Sequence, residues 1–415
     1  MKTILIILDG AADLPNKHLK NQTPFEAAHT PNLDFLAKNG QLGLMHPLKK
    51  GKIPSSANSL INLLGNNPKK CERGIYESIG AGLTIKKGNL ALRTNFATID
   101  NLKSKHLIDR RAGRTLTTYE AHELAKSLNE QIILSSKFEF KSTVQHRGVL
   151  VLKGNHSDHI TPINSGWAGG KKANLFRFSE PLNKDPNSKA TSHLINDFII
   201  QSYQILNNHP VNQARIRKGL YPANIILTRG AGNSLPKIKQ YRNWMAVNSM
   251  PLEVGIAKLS GMKNFPYKIP NQSSIDIYYY LYKLLNLKIK HSIKTLKRNH
   301  NNFTGCYIQI KETDLPGHDN KPLEKKRMIE IVDKKLFSFI KKMALKHNWK
   351  IVVTCDHSTP CELKGHSAHP VPVLVYDPKE EKSDHAYRFT EIEARLGSLK
   401  TFLGKDFVEK VGLNK

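Results

Sequence analysis

The chain has 415 residues, of which 39% are hydrophobic and 24% are charged, a balance typical of a folded globular protein rather than a disordered one. No apolar run approaches the roughly 18–20 residues that a membrane helix needs, so no membrane partner is expected. A formal net charge of +30 favours anionic ligands, either nucleic acid or a small phosphate ester. Nucleic acid is disfavoured, because the lysines are scattered and their densest run, residues 286–302, carries no Phe, Tyr or Trp to stack on bases.

The first predicted element is a buried strand that ends in a carboxylate. Residues 4–8 are all apolar and are followed directly by Asp9 and Gly10. A short apolar run that stops at Asp-Gly is typical of a central parallel strand whose carboxyl end opens into a loop. The run is too short for the apolar core of a signal peptide. We therefore interpret it as a core strand that delivers a functional carboxylate.

A helix and a serine-rich segment follow this strand. Residues 30–40 predict a helix, with Thr30 as its cap. The next segment is rich in Pro, Ser and Asn and contains Ser56, the candidate nucleophile. Ser55 and Ser59 are close enough to compete for that role, and serines in such segments usually cap helices or form turns.

The middle of the chain differs in character from its two ends. Residues 86–239 contain short β-like runs and a predicted helix over 114–130, and all the metal-type ligands lie outside this block. A length of 415 residues allows two or three domains. We therefore expect a catalytic domain, formed by residues 1–85 and 240–415, that is interrupted by an inserted domain.

Arginines cluster in and beside the insert, three of them in the short stretch DRRAGR. The planar guanidinium group can bind carboxylate or phosphate through two parallel hydrogen bonds, so these side chains are candidates for holding an anionic substrate. Exposed salt bridging on a basic protein is the alternative for any one of them. The candidate substrate-binding residues are Arg73, Arg93, Arg110, Arg111, Arg114, His146, Arg147 and Arg229.

Two further strands near the carboxyl end repeat the pattern of the first. Residues 306–314 and 350–358 are apolar runs followed closely by Asp, and residues 322–347 between them form an amphipathic crossover helix. Ligands bind beyond the carboxyl ends of strands in open α/β sheets. Three strands that end in Asp are therefore expected to gather their carboxylates in one site.

These strand ends, with one serine, supply enough ligands for two adjacent divalent cations. The candidate metal ligands are Asp9, Ser56, Asp314, His318, Asp356, His357 and His366. Three carboxylates and three imidazoles suit Mn²⁺ or Zn²⁺ better than Ca²⁺, and Co²⁺ and Mg²⁺ stay possible. A serine between two such metals would have a lowered pKa and could act as an alkoxide nucleophile. The alternative is a set of ordinary polar loop residues. His369 is expected to support the site or to lie on the surface.

The four cysteines indicate a reducing environment. They are Cys71, Cys306, Cys355 and Cys361, and none forms a close CxxC pair. A secreted disulfide framework is therefore not expected, and we expect a cytoplasmic protein.

The motifs together resemble a known family. The stretches ILDGAADLP, ERGIYESIGAGL, LTRGAG, KETDLPGHD and TCDHSTPCELKGHSAHPVPVLVY are similar to the archaeal-type, cofactor-independent phosphoglycerate mutases of the alkaline phosphatase superfamily. The resemblance covers nearly the full length. It implies an α/β fold with an alkaline-phosphatase-like central sheet flanked by helices, and an inserted α+β substrate-binding domain.

The resemblance also implies the reaction and the arrangement of the ligands. The phosphoryl group would pass between the 3- and 2-hydroxyls of glycerate through a phosphoserine. One metal would be held by Asp314, His318 and His366, and the other by the remaining ligands, which are Asp9, Ser56, Asp356 and His357.

One departure keeps other reactions open. The family usually places an acidic residue directly after the nucleophile, and this chain has Ala57 there. The alternatives are a metal-dependent phosphomonoesterase and a homoserine-kinase-like phosphotransferase, although no P-loop motif is present. A non-catalytic anion-binding protein is disfavoured, because it would not need a serine among metal ligands.

Overall fold

The structure is a computed structural model that describes residues 2–70, 72–163, 175–270, 276–380 and 382–413. Cys71 lies outside these ranges, and the three cysteines within them are free and buried. Among the helices in these ranges, none combines the length and the apolar character needed to cross a membrane.

The described residues form two separate β-sheets. In chain order the strands are β1 (Thr3–Leu8), β2 (Gln41–His46), β3 (Leu90–Ile99), β4 (Leu107–Asp109), β5 (Phe138–Ser142), β6 (Arg147–Leu152), β7 (Ile225–Gly232), β8 (Trp244–Val247), β9 (Lys263–Asn264), β10 (Gly305–Ile310), β11 (Lys350–Thr354), β12 (Val371–Tyr376) and β13 (Lys400–Leu403).

Helices accompany both sheets. In chain order they are α1 (Pro24–Ala27), α2 (Pro31–Lys38), α3 (Ser56–Leu63), α4 (Arg73–Gly80), α5 (Thr118–Gln131), α6 (Pro186–Asn207), α7 (Pro210–Arg217), α8 (Pro251–Leu259), α9 (Ile277–Asn299), α10 (Asp314–His318), α11 (Pro322–Val332), α12 (Ser338–His347), α13 (Glu391–Leu396) and α14 (Phe407–Lys410). A single π-helical turn, Asp333–Phe337, joins α11 to α12, so the predicted crossover helix is confirmed as one continuous element.

The larger sheet has eight strands in the order β13-β2-β12-β11-β1-β10-β8-β9. β12 runs antiparallel to both of its neighbours, and the other paired strands are parallel. Every residue of β1 is buried, as expected for a central strand covered by helices on both faces. The prediction of a mixed α/β fold with a central sheet flanked by helices is confirmed.

The smaller sheet has five strands, all antiparallel, with β7 and β6 on either side of β3. Its core is separate from that of the larger sheet and includes Phe96, Phe140 and Phe198. The strands of this sheet all lie between residues 90 and 232. The division at residues 86 and 239 is compatible with these bounds and stays a prediction.

Two helices begin differently from the sequence prediction. The helix predicted over 114–130 begins at Thr118, because Thr117 caps it through a reciprocal pair of hydrogen bonds with Glu120. Thr30 precedes the helix that starts at Pro31, but its side chain accepts no capping hydrogen bond. Its hydroxyl instead donates to the Asp34 carboxylate.

Helices α4 and α8 cross at very short distance where the two sheets meet. A Cβ atom at Gly80 would lie 1.8 Å from the carbonyl oxygen of Pro251, and one at Gly255 would lie 1.8 Å from that of Tyr76. Both glycines are therefore required by the close approach of the two backbones. Because α4 also packs on β3, this contact joins the two sheets.

Gly255→Ala is expected to lower the free energy of unfolding by about 3 kcal/mol, because the added methyl group must push two backbones apart. Chemical denaturation would measure this. Gly365→Ala is the control, since a Cβ there would meet nothing closer than 3.7 Å. Equal stability of the two variants would contradict the packing described for α4 and α8.

Candidate functional site

Three carboxylates lie together because three neighbouring strands end at one edge of the larger sheet. β1 pairs in parallel with β10 on one side and with β11 on the other. Asp9 follows β1 directly, Asp356 lies two residues beyond β11, and Asp314 opens helix α10 after β10. Asp9 and Asp356 are fully buried. The parallel strands therefore deliver all three acids to one place.

Asp314 forms a group with two histidines. His318 lies one helical turn after Asp314, and its Nε2 is 3.4 Å from Asp314 Oδ2. His366 arrives from the loop after β11, with its Nε2 3.8 Å from Asp314 Oδ1. The ligand atoms of the three side chains lie within 4.8 Å of one another, which is compact enough to hold one metal ion.

A second group lies beside the first and shares Asp314 with it. Ligand atoms of Asp9, Asp314 and His357 also lie within 4.8 Å of one another. His357 Nε2 is 3.4 Å from Asp9 Oδ1 and 3.4 Å from Asp356 Oδ2. The family resemblance implies Asp314 as a ligand of one metal only, whereas the structure places it in both groups.

The hydrogen bonds of the histidines turn their Nε2 atoms toward the carboxylates. Each Nδ1 atom faces an acceptor, which is the carbonyl oxygen of Lys364 for His318, that of Pro54 for His366, and the hydroxyl of Thr359 for His357. These acceptors hold a proton on Nδ1, so that in the neutral ring the Nε2 lone pair is directed at the ligand groups. Metal-binding histidines in proteins are oriented in the same way.

The titration properties of the buried groups fit a cation that is shared among them. Burial raises the pKa of Asp356, and the charge of Asp9 raises it further. Burial also raises the pKa of Asp9, against the lowering effect of Lys311. Asp9 Oδ1 is buried and accepts no hydrogen bond from any described residue. Burial lowers the pKa of His357 well below its usual value, which favours the neutral ring that metals require.

Asp314 and His318 also shift each other's pKa. Burial alone would raise the pKa of Asp314, but the hydrogen bond and charge of His318 hold it well below its usual value. Burial opposes protonation of His318, yet the same carboxylate raises its pKa. This mixed set of nitrogen and oxygen donors defines a divalent-metal site.

Ser56 is the serine that faces this centre. It occupies the first turn of α3, and its Oγ lies 3.1 Å from His357 Nε2. Ser55 caps the helix through the backbone N–H of Asn58, and the Ser59 hydroxyl donates to the carbonyl oxygen of Asp356. The two competing serines therefore have structural contacts, which leaves Ser56 as the candidate nucleophile. Ala57 is buried and belongs to the core of the larger sheet.

A cavity of about 250 Å³ connects the metal-type ligands to the insert. Its lining includes residues of the insert and residues of the larger domain. The insert contributes Arg93, Arg110, Arg111, His146, Arg147 and Arg229, and the larger domain contributes Lys311, Glu312, Asp314 and His318. Burial and the neighbouring arginines lower the pKa of Arg111 to about 10 and that of Arg229 to about 9. Such crowded cations are stabilised by a bound anion.

Two predicted substrate-binding arginines outside the cavity lining pair with carboxylates of the protein, and Arg93, which lines the cavity, lies 3.4 Å from Glu77. Arg73 forms an ion pair with Glu77 on the next turn of α4. Arg114 lies 3.2 Å from Asp319, which directly follows His318. Arg114 therefore links the insert to the helix that carries two metal-type ligands. Neither side chain is among the residues that line the cavity.

Sequence reasoning missed two lysines that hold the carboxylates. Lys311 bonds to Asp9 and also lies 3.0 Å from Glu253. Lys325 is fully buried and donates to Asp13 at 2.7 Å and to the carbonyl oxygens of Gly10 and Thr359 at 3.0 and 2.8 Å. A signal was available for Lys325, because it precedes Met328 by three residues and therefore lies on the apolar stripe of α11.

The carboxylate–histidine centre and the arginine-lined cavity define a metal-dependent enzyme for an anionic substrate. A family model for 2,3-bisphosphoglycerate-independent phosphoglycerate mutase matches residues 37–212. Proteins of that name from Pyrococcus abyssi and Saccharolobus islandicus are 38% and 37% identical to this chain, over 98% and 96% of it and over 96% and 94% of their own lengths. The chain belongs to the 2,3-bisphosphoglycerate-independent phosphoglycerate mutase family.

Solved structures agree with this assignment. A protein from Pyrococcus horikoshii is 27% identical, with a TM-score of 0.76 over 99% of this chain and 97% of its own. The cofactor-independent phosphoglycerate mutase from Thermoplasma acidophilum is 28% identical, with a TM-score of 0.62 over the full length of both chains.

Because Asp314 borders both ligand groups, Asp314→Ala is expected to weaken binding of both metal ions by at least about 100-fold, whereas His318→Ala weakens one. Calorimetric titration of metal-stripped protein with Mn²⁺ would give the stoichiometry. His369→Ala is the matched control, since this exposed histidine bonds to Ser367 and belongs to neither group. Two tight sites in Asp314→Ala would contradict the shared position of this residue.

Proposed function

We propose that this protein interconverts 3-phosphoglycerate and 2-phosphoglycerate, a step of glycolysis and gluconeogenesis, through a phosphoserine at Ser56. The observation that carries the proposal is one cavity with two kinds of wall. Asp314 and His318 contribute metal-type ligands, and the insert contributes arginines. A phosphorylated hydroxy acid has one group for each wall, because its phosphoryl group can bind metals and its carboxylate can pair with guanidinium groups.

Two divalent cations complete the proposed site. One would be held by Asp314, His318 and His366. The other would be held by the remaining ligands, Asp9, Ser56, Asp356 and His357, with Asp314 close to both. Mn²⁺ suits this mixture of imidazole, carboxylate and hydroxyl donors best, although the same donors accept Zn²⁺, Co²⁺ or Mg²⁺. Bound cations would lower the pKa of the Ser56 hydroxyl and offset the charge of the phosphoryl oxygens.

The residues of the chain then divide the reaction between them. Ser56 Oγ attacks phosphorus, the bond from phosphorus to O3 of the substrate breaks, and O3 takes up a proton. Glycerate stays in the cavity, held at its carboxylate by arginines such as Arg111 and Arg229. After it reorients, O2 loses its proton and attacks the phosphoserine, which restores Ser56. The proton that Ser56 Oγ loses on attack is matched by the one that O3 gains, and the proton that O2 loses is matched by the one that Ser56 Oγ regains.

The insert has to exclude water during this exchange, since water would hydrolyse the phosphoserine. The Arg114–Asp319 ion pair fits this task because it closes the insert onto α10. Hydrolysis is the second candidate activity, because the buried Ala57 supplies no carboxylate beside the nucleophile. The predicted cytoplasmic location stays a prediction, and the three buried free thiols are compatible with it.

Ser56→Ala is expected to abolish phosphoenzyme formation, because no other serine faces His357 among the described residues. The protein would be incubated with ³²P-labelled 3-phosphoglycerate and Mn²⁺, denatured and examined for label. Ser55→Ala is the control and should still be labelled, since Ser55 only caps α3. Label on the Ser56→Ala protein would show that the nucleophile is assigned wrongly.

Arg114→Ala is expected to raise the ratio of free phosphate to 2-phosphoglycerate by up to about fivefold, because loss of the ion pair with Asp319 weakens the contact between the insert and α10 and admits water. The two products would be followed separately from 3-phosphoglycerate. Arg177→Ala changes an exposed arginine elsewhere on the insert and should leave the ratio as it is. An unchanged ratio in Arg114→Ala would show that this ion pair does not keep water out of the cavity.

A further inference from the structure

Glu312 is a carboxylate that the metal site does not use. The cavity wall is strongly cationic, yet it contains two acids, Glu312 and Asp314. Asp314 belongs to both metal-ligand groups, and Glu312 belongs to neither among the described residues. A carboxylate in a cavity for an anion repels the ligand unless it meets a hydrogen-bond donor.

One carboxylate oxygen of Glu312 is an unused hydrogen-bond acceptor. Its exposed fraction is 4%, and Oε2 is buried without a hydrogen-bond partner in the described part of the chain. The preceding Lys311 bonds to Asp9 and Glu253 instead. Buried acceptors are normally satisfied, so an unpaired carboxylate oxygen on a residue that lines a ligand cavity points to a donor on the ligand.

Two tyrosines that share the cavity wall with Glu312 leave this oxygen without a hydrogen bond. Tyr267 and Tyr280 line the same cavity, and the Tyr280 hydroxyl donates to the carbonyl oxygen of Pro270. Lys288 is buried behind them, with its Nζ 5.7 Å from the centre of the Tyr267 ring. No ion pair within 4.0 Å joins Lys288 to Glu312 among the described contacts, so its charge offsets the carboxylate from a distance.

The chemistry of the substrate selects one partner for this oxygen. A phosphoglycerate carries a phosphoryl group, a carboxylate and one free hydroxyl, and only the hydroxyl can donate a hydrogen bond to a carboxylate. We propose that Glu312 is a specificity-determining residue that accepts a hydrogen bond from the free hydroxyl of the substrate. This assignment rests on the proposed function and deepens it, because it explains how the site would select a hydroxy acid.

The test compares two ligands on two proteins. Wild-type and Glu312→Ala protein, each loaded with Mn²⁺, are titrated calorimetrically with 3-phosphoglycerate and with 3-phosphooxypropanoate, which lacks the 2-hydroxyl. The wild type is expected to prefer the hydroxylated ligand by at least about tenfold, and Glu312→Ala to bind both within about twofold. A variant that keeps the wild-type preference, or a wild type that has none, would overturn the proposal.

Two further variants separate this role from a structural one. Leu284→Ala trims an apolar part of the cavity wall and should weaken both ligands alike, with the tenfold preference retained. Glu312→Gln keeps the size of the side chain but replaces a charged acceptor by an amide, so its preference should fall by at least about threefold. This isosteric variant carries the test if Glu312→Ala does not fold, and a full preference in it would count against the assignment.

Failure of the proposed function has a different signature. A wild type that forms no 2-phosphoglycerate, while its hydroxyl preference still depends on Glu312, would change the reaction and keep the assignment of Glu312. A wild type that forms 2-phosphoglycerate, but whose preference for the hydroxylated ligand does not depend on Glu312, would support the reaction and overturn the assignment of Glu312.

Discussion

Three carboxylates lie at the ends of three adjacent parallel strands, and the repulsion between them has to be offset for this edge of the sheet to form. The protein offsets part of it with two lysines, of which Lys325 is fully buried and Lys311 partly exposed. Lys311 bonds to Asp9, and Lys325 binds the loops that follow β1 and β11. Burial still raises the pKa of Asp9 and Asp356, so the remaining charge favours a bound cation. Metal binding and the stability of this edge are therefore coupled.

The insert presents the opposite excess of charge. Burial, with repulsion from neighbouring arginines, lowers the pKa values of its half-buried Arg111 and Arg229. An anion in the cavity would reduce the repulsion among the arginines of the insert. A cation at the strand ends would reduce the repulsion among the carboxylates of the larger domain. A phosphate ester bound to metals lies between the two and satisfies both, which explains why one cavity has two unlike walls.

The metal-type ligands could be predicted from the sequence because strand ends are local features. An apolar run followed by Asp marks the edge of a parallel sheet, and this placed Asp9, Asp314 and Asp356 together without knowledge of the strand order. The sharing of Asp314 between two groups could not be foreseen, because it depends on where His357 and Thr359 lie across the sheet. The ion pair of Arg73 with Glu77 is different, because the two residues are one helical turn apart and their spacing indicates it.

Other differences arise from local chemistry that was visible in the sequence. Thr117 and Glu120 form a capping box, and this pair sets the start of α5 at Thr118 instead of the predicted residue 114. The spacing of Lys325 from Met328 places it on the apolar stripe of α11, although a lysine in an amphipathic helix usually lies on the solvated face. Two spatial contacts, the Arg114–Asp319 ion pair and the crossing of α4 and α8, join residues too distant in the chain for any local pattern to predict.

The most direct measurement is the conversion of 3-phosphoglycerate by metal-stripped protein with and without added Mn²⁺, with 2-phosphoglycerate and free phosphate followed separately. Metal-dependent formation of 2-phosphoglycerate with little free phosphate is the predicted result. Free phosphate without 2-phosphoglycerate would contradict the mutase reaction and make the protein a phosphatase.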